Sequence, residues 1–216
     1  MGGDPAANMA TVYTKLKDYY STHKGLVRYS MLKLSMIKNK KDAGPKLRGK
    51  AAQIKCLVTP LLKIWCELSD QTDDVHKRVL AVLKLNLKIE DTLYMCRDMY
   101  TLPEDVHKTF VENVFAMLQI QTGLAHHFAS SDDPSLSTVK LFTLTQKAHF
   151  LAHISLLSLY INPVRTWCYR GEDFMKVCRA LIENCVRGVS PYEVSKKNFE
   201  HYRAGLHFNF LKCKPA

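Results

Sequence analysis

The sequence predicts an all-α protein, an irregular bundle of about seven or eight helices, and three observations predict it. Apolar residues recur at three- and four-residue spacing through nearly every segment, the pattern of a helix with one face turned to a core. No stretch alternates apolar and polar residues as a half-buried strand would. The 216 residues include only 9 Gly and 8 Pro, few turn-formers for a β architecture rich in loops.

Taken in order, MGGDPAANMA is small and polar, with neither the basic start nor the apolar run of a secretory signal. Residues 1–10 read as a frayed end or a cloning remnant, leaving 11–216 as a single helical domain or as two halves parted near 131–135. VYTKLKDYYSTH places Val12, Leu16, Tyr19 and Tyr20 on one stripe, and GLVRYSMLKLSMIKNKK reads as a second helix. Gly44–Pro45 breaks it. LRGKAAQIKCLVTPLLKIWCELSD is a long apolar helix with an expected kink at Pro60, which has no N–H for the ladder.

Thr72, Asp73 and Asp74 offer a cap and negative charge to the next helix, whose apolar positions run from Val79 to Cys96. Pro103 with Glu104 and Asp105 opens another, which ends near SSDDPS. From Leu136, LSTVKLFTLTQKAHFLAHISLLSLYI is apolar on most sides, predicting a central buried helix stopped by Asn162–Pro163. GEDFMKVCRALIENCVRG forms a helix closed by Arg187–Gly188. The last begins at Ser190 as cap, with Pro191 in the first position and Glu193 at the capping-box place.

Charge is unevenly placed. The formal net charge is +11. Residues 1–50 hold eleven Lys/Arg against three Asp/Glu and residues 163–216 hold ten against five, whereas 51–162 carry ten against twelve. Positive field at both ends fits a polyanion such as DNA or RNA, and it fits equally a solvated basic face. Seven cysteines, an odd number with no CxxC, argue against a disulfide framework and for a reducing intracellular compartment, nuclear or cytoplasmic. No run approaches 18 uninterrupted apolar residues, so no membrane span is expected.

Lys38, Lys40, Lys41, Lys46, Arg48 and Lys50 bracket a turn and lead into a helix, whose N-terminus also attracts phosphate. A second basic set, Arg165, Arg170, Lys196, Lys197 and Arg203, is interleaved with Tyr169, Tyr192 and Tyr202, rings on which unpaired bases stack. His149 and His153 are four apart and share a helix face, a spacing that holds zinc if a third ligand closes the site; polar tips reaching neighbouring helices explain them as well. Glu172–Asp173 suits a metal-binding or acid–base pair, but carboxylates are favoured at a helix start anyway. No nucleophile elbow, Walker loop or dinucleotide fingerprint is present, and no cofactor is implied.

PKLRGKAAQIKCLVTPLLKIW and LTQKAHFLAHISLLSLYINPVRTWCYRGEDFM together resemble mobile-element proteins of unicellular eukaryotes. They are also similar to the helical C-terminal region of transposases with an RNase H-like core. The matching positions are Lys147, His149, His153, Asn162–Pro163, Trp167, Arg170 and Glu172. The resemblance implies that Glu172 is the last of three metal-binding carboxylates, and that the chain is the helical part of a larger protein. The sequence departs from that family at the strands bearing the first two Asp residues, so autonomous catalysis is not expected. Three functions follow: a nucleic-acid-binding module of a mobile-element-related protein, a helical scaffold for a protein partner or homo-oligomer, and a part of a metal-dependent transposase or nuclease.

Overall fold

A computed structural model of the chain describes residues 4–25, 27–29, 31–37, 47, 49, 51–166, 178–183, 186 and 190–212. Seven α-helices and two 3-10 turns are bounded among them, with no strand, and residues 178–183 are helical as well. The chain divides into two compact units, Met1–Val164 and Arg165–Ala216. The 131–135 loop lies inside the first.

In the first unit, α1 (Pro5–Thr22) starts within the stretch expected to fray. Asp4 is the reason: its carboxylate accepts the Ala6 and Ala7 N–H groups at 3.1 and 3.2 Å, and Pro5 follows at the first helical position. Gly25, at φ +90°, lets the chain reverse beyond the helix end, a conformation that costs other residues more. α1 buries Leu16 and Tyr20 against α2 (Ala51–Leu68), which runs through a fully buried Pro60.

Where it is described, the segment expected as a second helix is instead a strap with one 3-10 turn, Leu34–Met36. Tertiary bonds outweigh its helical period. Arg28 Nη2 donates to Tyr20 O at 3.0 Å, Gln53 Nε2 donates to Arg28 O at 3.1 Å, and Tyr20 Oη accepts the Tyr29 N–H at 3.4 Å. Tyr29 and Leu32 thereby join Leu16, Tyr20, Leu57 and Ile64 in one core. Burial raises the pKa of the Tyr20 and Tyr29 phenols, so both stay neutral. Gly49 abuts Tyr29: a Cβ there would overlap the phenol.

α3 (Asp74–Met95) and α4 (Glu104–Ala129) form the most extensive pairing, and α2 packs on α3. Both helices start as the local chemistry predicts. Asp73 accepts the His76 N–H at 3.0 Å, which holds its carboxyl below the ordinary aspartate range. Pro103 occupies the cap position of α4 rather than its first turn, ahead of Glu104 and Asp105. Phe110, Val114, Met117 and Leu124 are buried along one face of α4, at spacings that keep a helical stripe in register.

After a single turn, α5 (Pro134–Ser137), positive φ at Lys140 (30°) and Phe142 (58°) prevents the long helix expected from Leu136. Phe142 stacks on Phe128 of α4, centroids 5.7 Å apart, an apolar contact that offsets the unfavourable backbone. The helix resumes as α6 (Gln146–Leu157). It is not the buried central helix expected. Only Ser155 is fully buried, with Ala148, Ala152 and Ser158 on the same side, while Phe150, Leu156 and Leu157 are exposed. Small side chains let one face of α6 approach α4 closely, and an all-round apolar sequence leaves bulky residues on the faces that remain.

In the second unit, residues 178–183 are helical and carry an Arg179–Glu183 pair at 2.7 Å. The final helix, α7 (Pro191–Lys212), opens as expected, with the Ser190 hydroxyl accepting the Glu193 N–H at 3.4 Å. The closure expected at Arg187–Gly188 lies outside the described residues. No helix among the described residues is long and apolar enough to cross a membrane.

Candidate nucleic-acid interface

The primary basic cluster, Lys38, Lys40, Lys41, Lys46, Arg48 and Lys50, lies outside the described residues, as do Arg170, Glu172, Asp173, Trp167 and Tyr169. Arg165 ends the 3-10 turn Pro163–Arg165. The other described members of the second basic set, Lys196, Lys197 and Arg203, sit on α7. Tyr192 and Phe199 are 78% and 61% exposed there, a large fraction for aromatic rings. Seven residues apart, they stand on one helical stripe with Leu206, separated by about 10 Å along the axis. Lys196, Lys197 and Arg203 are exposed beside them. The Arg203 guanidinium lies 5.7 Å from the Phe199 ring centroid, so cation and ring present one composite surface. Tyr202 is half-buried.

His149 and His153 do come together. Their Nε2 atoms are 3.0 Å apart, with ring centroids at 4.4 Å and near-perpendicular planes. At that distance one ring donates a proton to the other's lone pair, and the nitrogens face each other instead of a common ion. Both rings are exposed. Among the described residues no group of three or more His, Cys, Asp or Glu is placed to hold a metal.

Asn162–Pro163, read as a helix stop, does more than stop a helix. Asn162 is fully buried and fastens the connection between α3 and α4. Its side-chain amide donates to Cys96 O at 2.6 Å and Met99 O at 3.1 Å, while its backbone N–H donates to Tyr100 O at 2.7 Å. Its Oδ1 accepts the Val164 N–H at 3.0 Å. Nearby, Ser158 O accepts the Leu102 N–H at 2.9 Å, and the Ser158 hydroxyl meets His107 Nδ1 at 2.8 Å. Every polar atom of the Asn162 amide group is used, which makes this corner a structural junction.

The junction has an outer side that the sequence did not reveal. Tyr94, Met95, Met99 and Tyr100 are exposed around the α3–α4 corner, and Tyr160 is exposed in the segment leading to Asn162. Arg97 lies over the Tyr94 ring at 4.6 Å. Tyr, Met and Arg together are the residue types enriched in protein interfaces. All but Tyr160 fall in the single stretch YMCRDMY, whose helical period does not tell which side chains the neighbouring helices leave uncovered. Cys56, Cys66, Cys96 and Cys178 are free thiols. Burial pushes the Cys96 thiol up, away from nucleophilic reactivity.

No protein-family model, curated protein or solved structure matches this chain.

Proposed function

We propose that the chain is a helical nucleic-acid-binding module of a mobile-element-related protein, acting in a reducing intracellular compartment and holding its ligand without chemistry of its own. The observation that carries this reading is the α7 surface: two rings exposed to water, Tyr192 and Phe199, flanked by Lys196, Lys197 and Arg203. Exposed rings interleaved with cations suit single strands, where each ring takes one base face and each cation one phosphate. The surplus of positive charge at both ends of the chain supports the same reading, with Lys38, Lys40, Lys41, Lys46, Arg48, Lys50, Arg165 and Arg170 as further phosphate contacts.

The test compares fluorescent single- and double-stranded DNA and RNA on the full chain. Single strands should bind more tightly than duplexes, and Tyr192→Ala with Phe199→Ala should weaken single strands by about tenfold or more, at 1–3 kcal/mol per stacked base. Equal affinity in the double variant would remove α7 from the interface, and no binding of any strand at low salt would remove the function.

A second reading, a helical scaffold for a protein partner or a homo-oligomer, has its own observation in the Tyr94, Met95, Met99 and Tyr100 patch. Sedimentation discriminates. Mass that rises with concentration in the parent and falls to monomer in Met95→Lys favours the scaffold, whereas a strict monomer removes self-association.

A further inference from the structure

α1, α2 and α3 do not close completely on one another. Between them lies a cavity of about 420 Å³, lined by Val12 from α1, Leu61, Trp65 and Leu68 from α2, and Val79 and Leu83 from α3. That volume falls in the range of small-molecule sites. The space is a cleft that opens to solvent, and its almost wholly apolar lining offers water few of the two to four polar partners that a held water needs.

The few polar groups at its edge are mostly committed. Trp65 Nε1 donates to His76 O at 3.1 Å, and the indole meets the His76 imidazole edge to face, centroids 5.4 Å apart. Asp70 donates its N–H to His76 Nδ1 at 3.1 Å. An imidazole that accepts at Nδ1 is neutral and carries its proton on Nε2, so His76 has one donor left. Ser69, also on the rim, already accepts from Gln71 Nε2 at 2.6 Å and keeps its hydroxyl proton. Among the described residues no Lys, Arg, Asp or Glu side chain borders the space.

We propose that this cavity is a binding site for a neutral, mostly apolar small molecule bearing a carbonyl or ether oxygen, its flat part against Trp65 and its oxygen hydrogen-bonded to His76 Nε2. A charged ligand would enter an apolar chamber with no counter-ion to meet it, and a wholly apolar one would leave the imidazole donor without a partner. The ligand would touch all three helices and so stabilise the first unit by mass action.

The probe is 6-propionyl-2-(dimethylamino)naphthalene, a neutral flat ketone whose emission reports polarity, titrated into the full chain carrying Trp167→Phe, so that Trp65 is the remaining indole. The expected result is saturable one-to-one binding with blue-shifted emission, and quenching of Trp65 by energy transfer at the same midpoint. 2-(Dimethylamino)naphthalene, which lacks the ketone, should bind several-fold more weakly. Val79→Trp fills the chamber and should weaken the ketone about tenfold or more. Uptake that never saturates, saturation without Trp65 quenching, or equal affinity in a Val79→Trp chain of unchanged helix content would each overturn the proposal. Should that variant lose its helix signal, the Trp65 quenching and the ketone-free probe decide between the same two outcomes.

Discussion

The α3–α4 hairpin and α7 are built from helices of similar length, 22 and 26 residues against 22, and one phenylalanine in each, Phe110 and Phe199, is placed in opposite ways. α4 buries Phe110 completely against its neighbours, while α7 leaves Phe199 in water. Both helices carry acids in the first turn, so that part of the local propensity does not separate them. What separates them is the residues between the apolar positions. α4 spaces Phe110, Val114, Met117 and Leu124 closely enough to make a continuous stripe, whereas α7 interrupts its stripe with Ser195 and flanks it with Lys196 and Arg203. A helix gains most of its stability from packing such a stripe. The hairpin is therefore the part of the molecule that holds structure, and α7 the part that offers surface.

The sharpest way to break this comparison is to truncate both rings. Phe110→Ala should cost about 3–5 kcal/mol in urea unfolding, as for other fully buried Phe residues. Phe199→Ala should stay within about 0.5 kcal/mol, as for surface positions, while losing affinity for single strands. Equal costs would mean that α7 is part of the core. Next in size, Asn162→Ala should cost about 1–3 kcal/mol by leaving buried carbonyls of the α3–α4 connection without donors. Its signature is faster amide exchange at Leu102 and Val164, and unchanged exchange there would show that the clamp is not what holds the corner.

Gly49→Ala should cost a similar 1–3 kcal/mol, since the new methyl must displace the buried Tyr29 ring. The double variant Gly49→Ala with Tyr29→Leu should recover part of the loss, and full additivity would contradict the contact. The smallest effect concerns the α3 cap. Asp73 has a folded pKa below its unfolded value, so its contribution is present above the unfolded value and disappears as pH falls through the folded one. Asp73→Ala should thus be less stable than the parent at neutral pH, with the gap closing below about pH 4. A gap that persists at about pH 2 would mean that the carboxylate is not the capping group.

How much of this was legible in the sequence depended on how far each residue's partner lies along the chain. The starts of α3 and α7 could be read directly, because Asp73 and Ser190 act within one turn. The strap through Arg28 and Tyr29 could not, because its bonds go to Tyr20 and Gln53 and override a sound helical period. α6 was misjudged for a different reason: an all-round apolar helix carries no period to say which face is covered, and Ser155 is the covered one. Asn162 reads as a stop, and its partners Cys96 and Met99 are more than sixty residues away. Of the candidate sites, the His149–His153 approach followed from their spacing. The exposure of Tyr192 and Phe199 did not, because exposure depends on what the rest of the chain leaves uncovered.

The most direct test of the central claim is the salt dependence of single-strand binding, measured for the parent and for Lys196→Gln/Lys197→Gln/Arg203→Gln. Each phosphate contact on a single strand contributes about 0.7 to the log–log slope, so the triple variant should bind more weakly, with a slope shallower by about two units. An unchanged slope, or no binding by the parent at low salt, would contradict the account and leave the α7 cations as solvated surface.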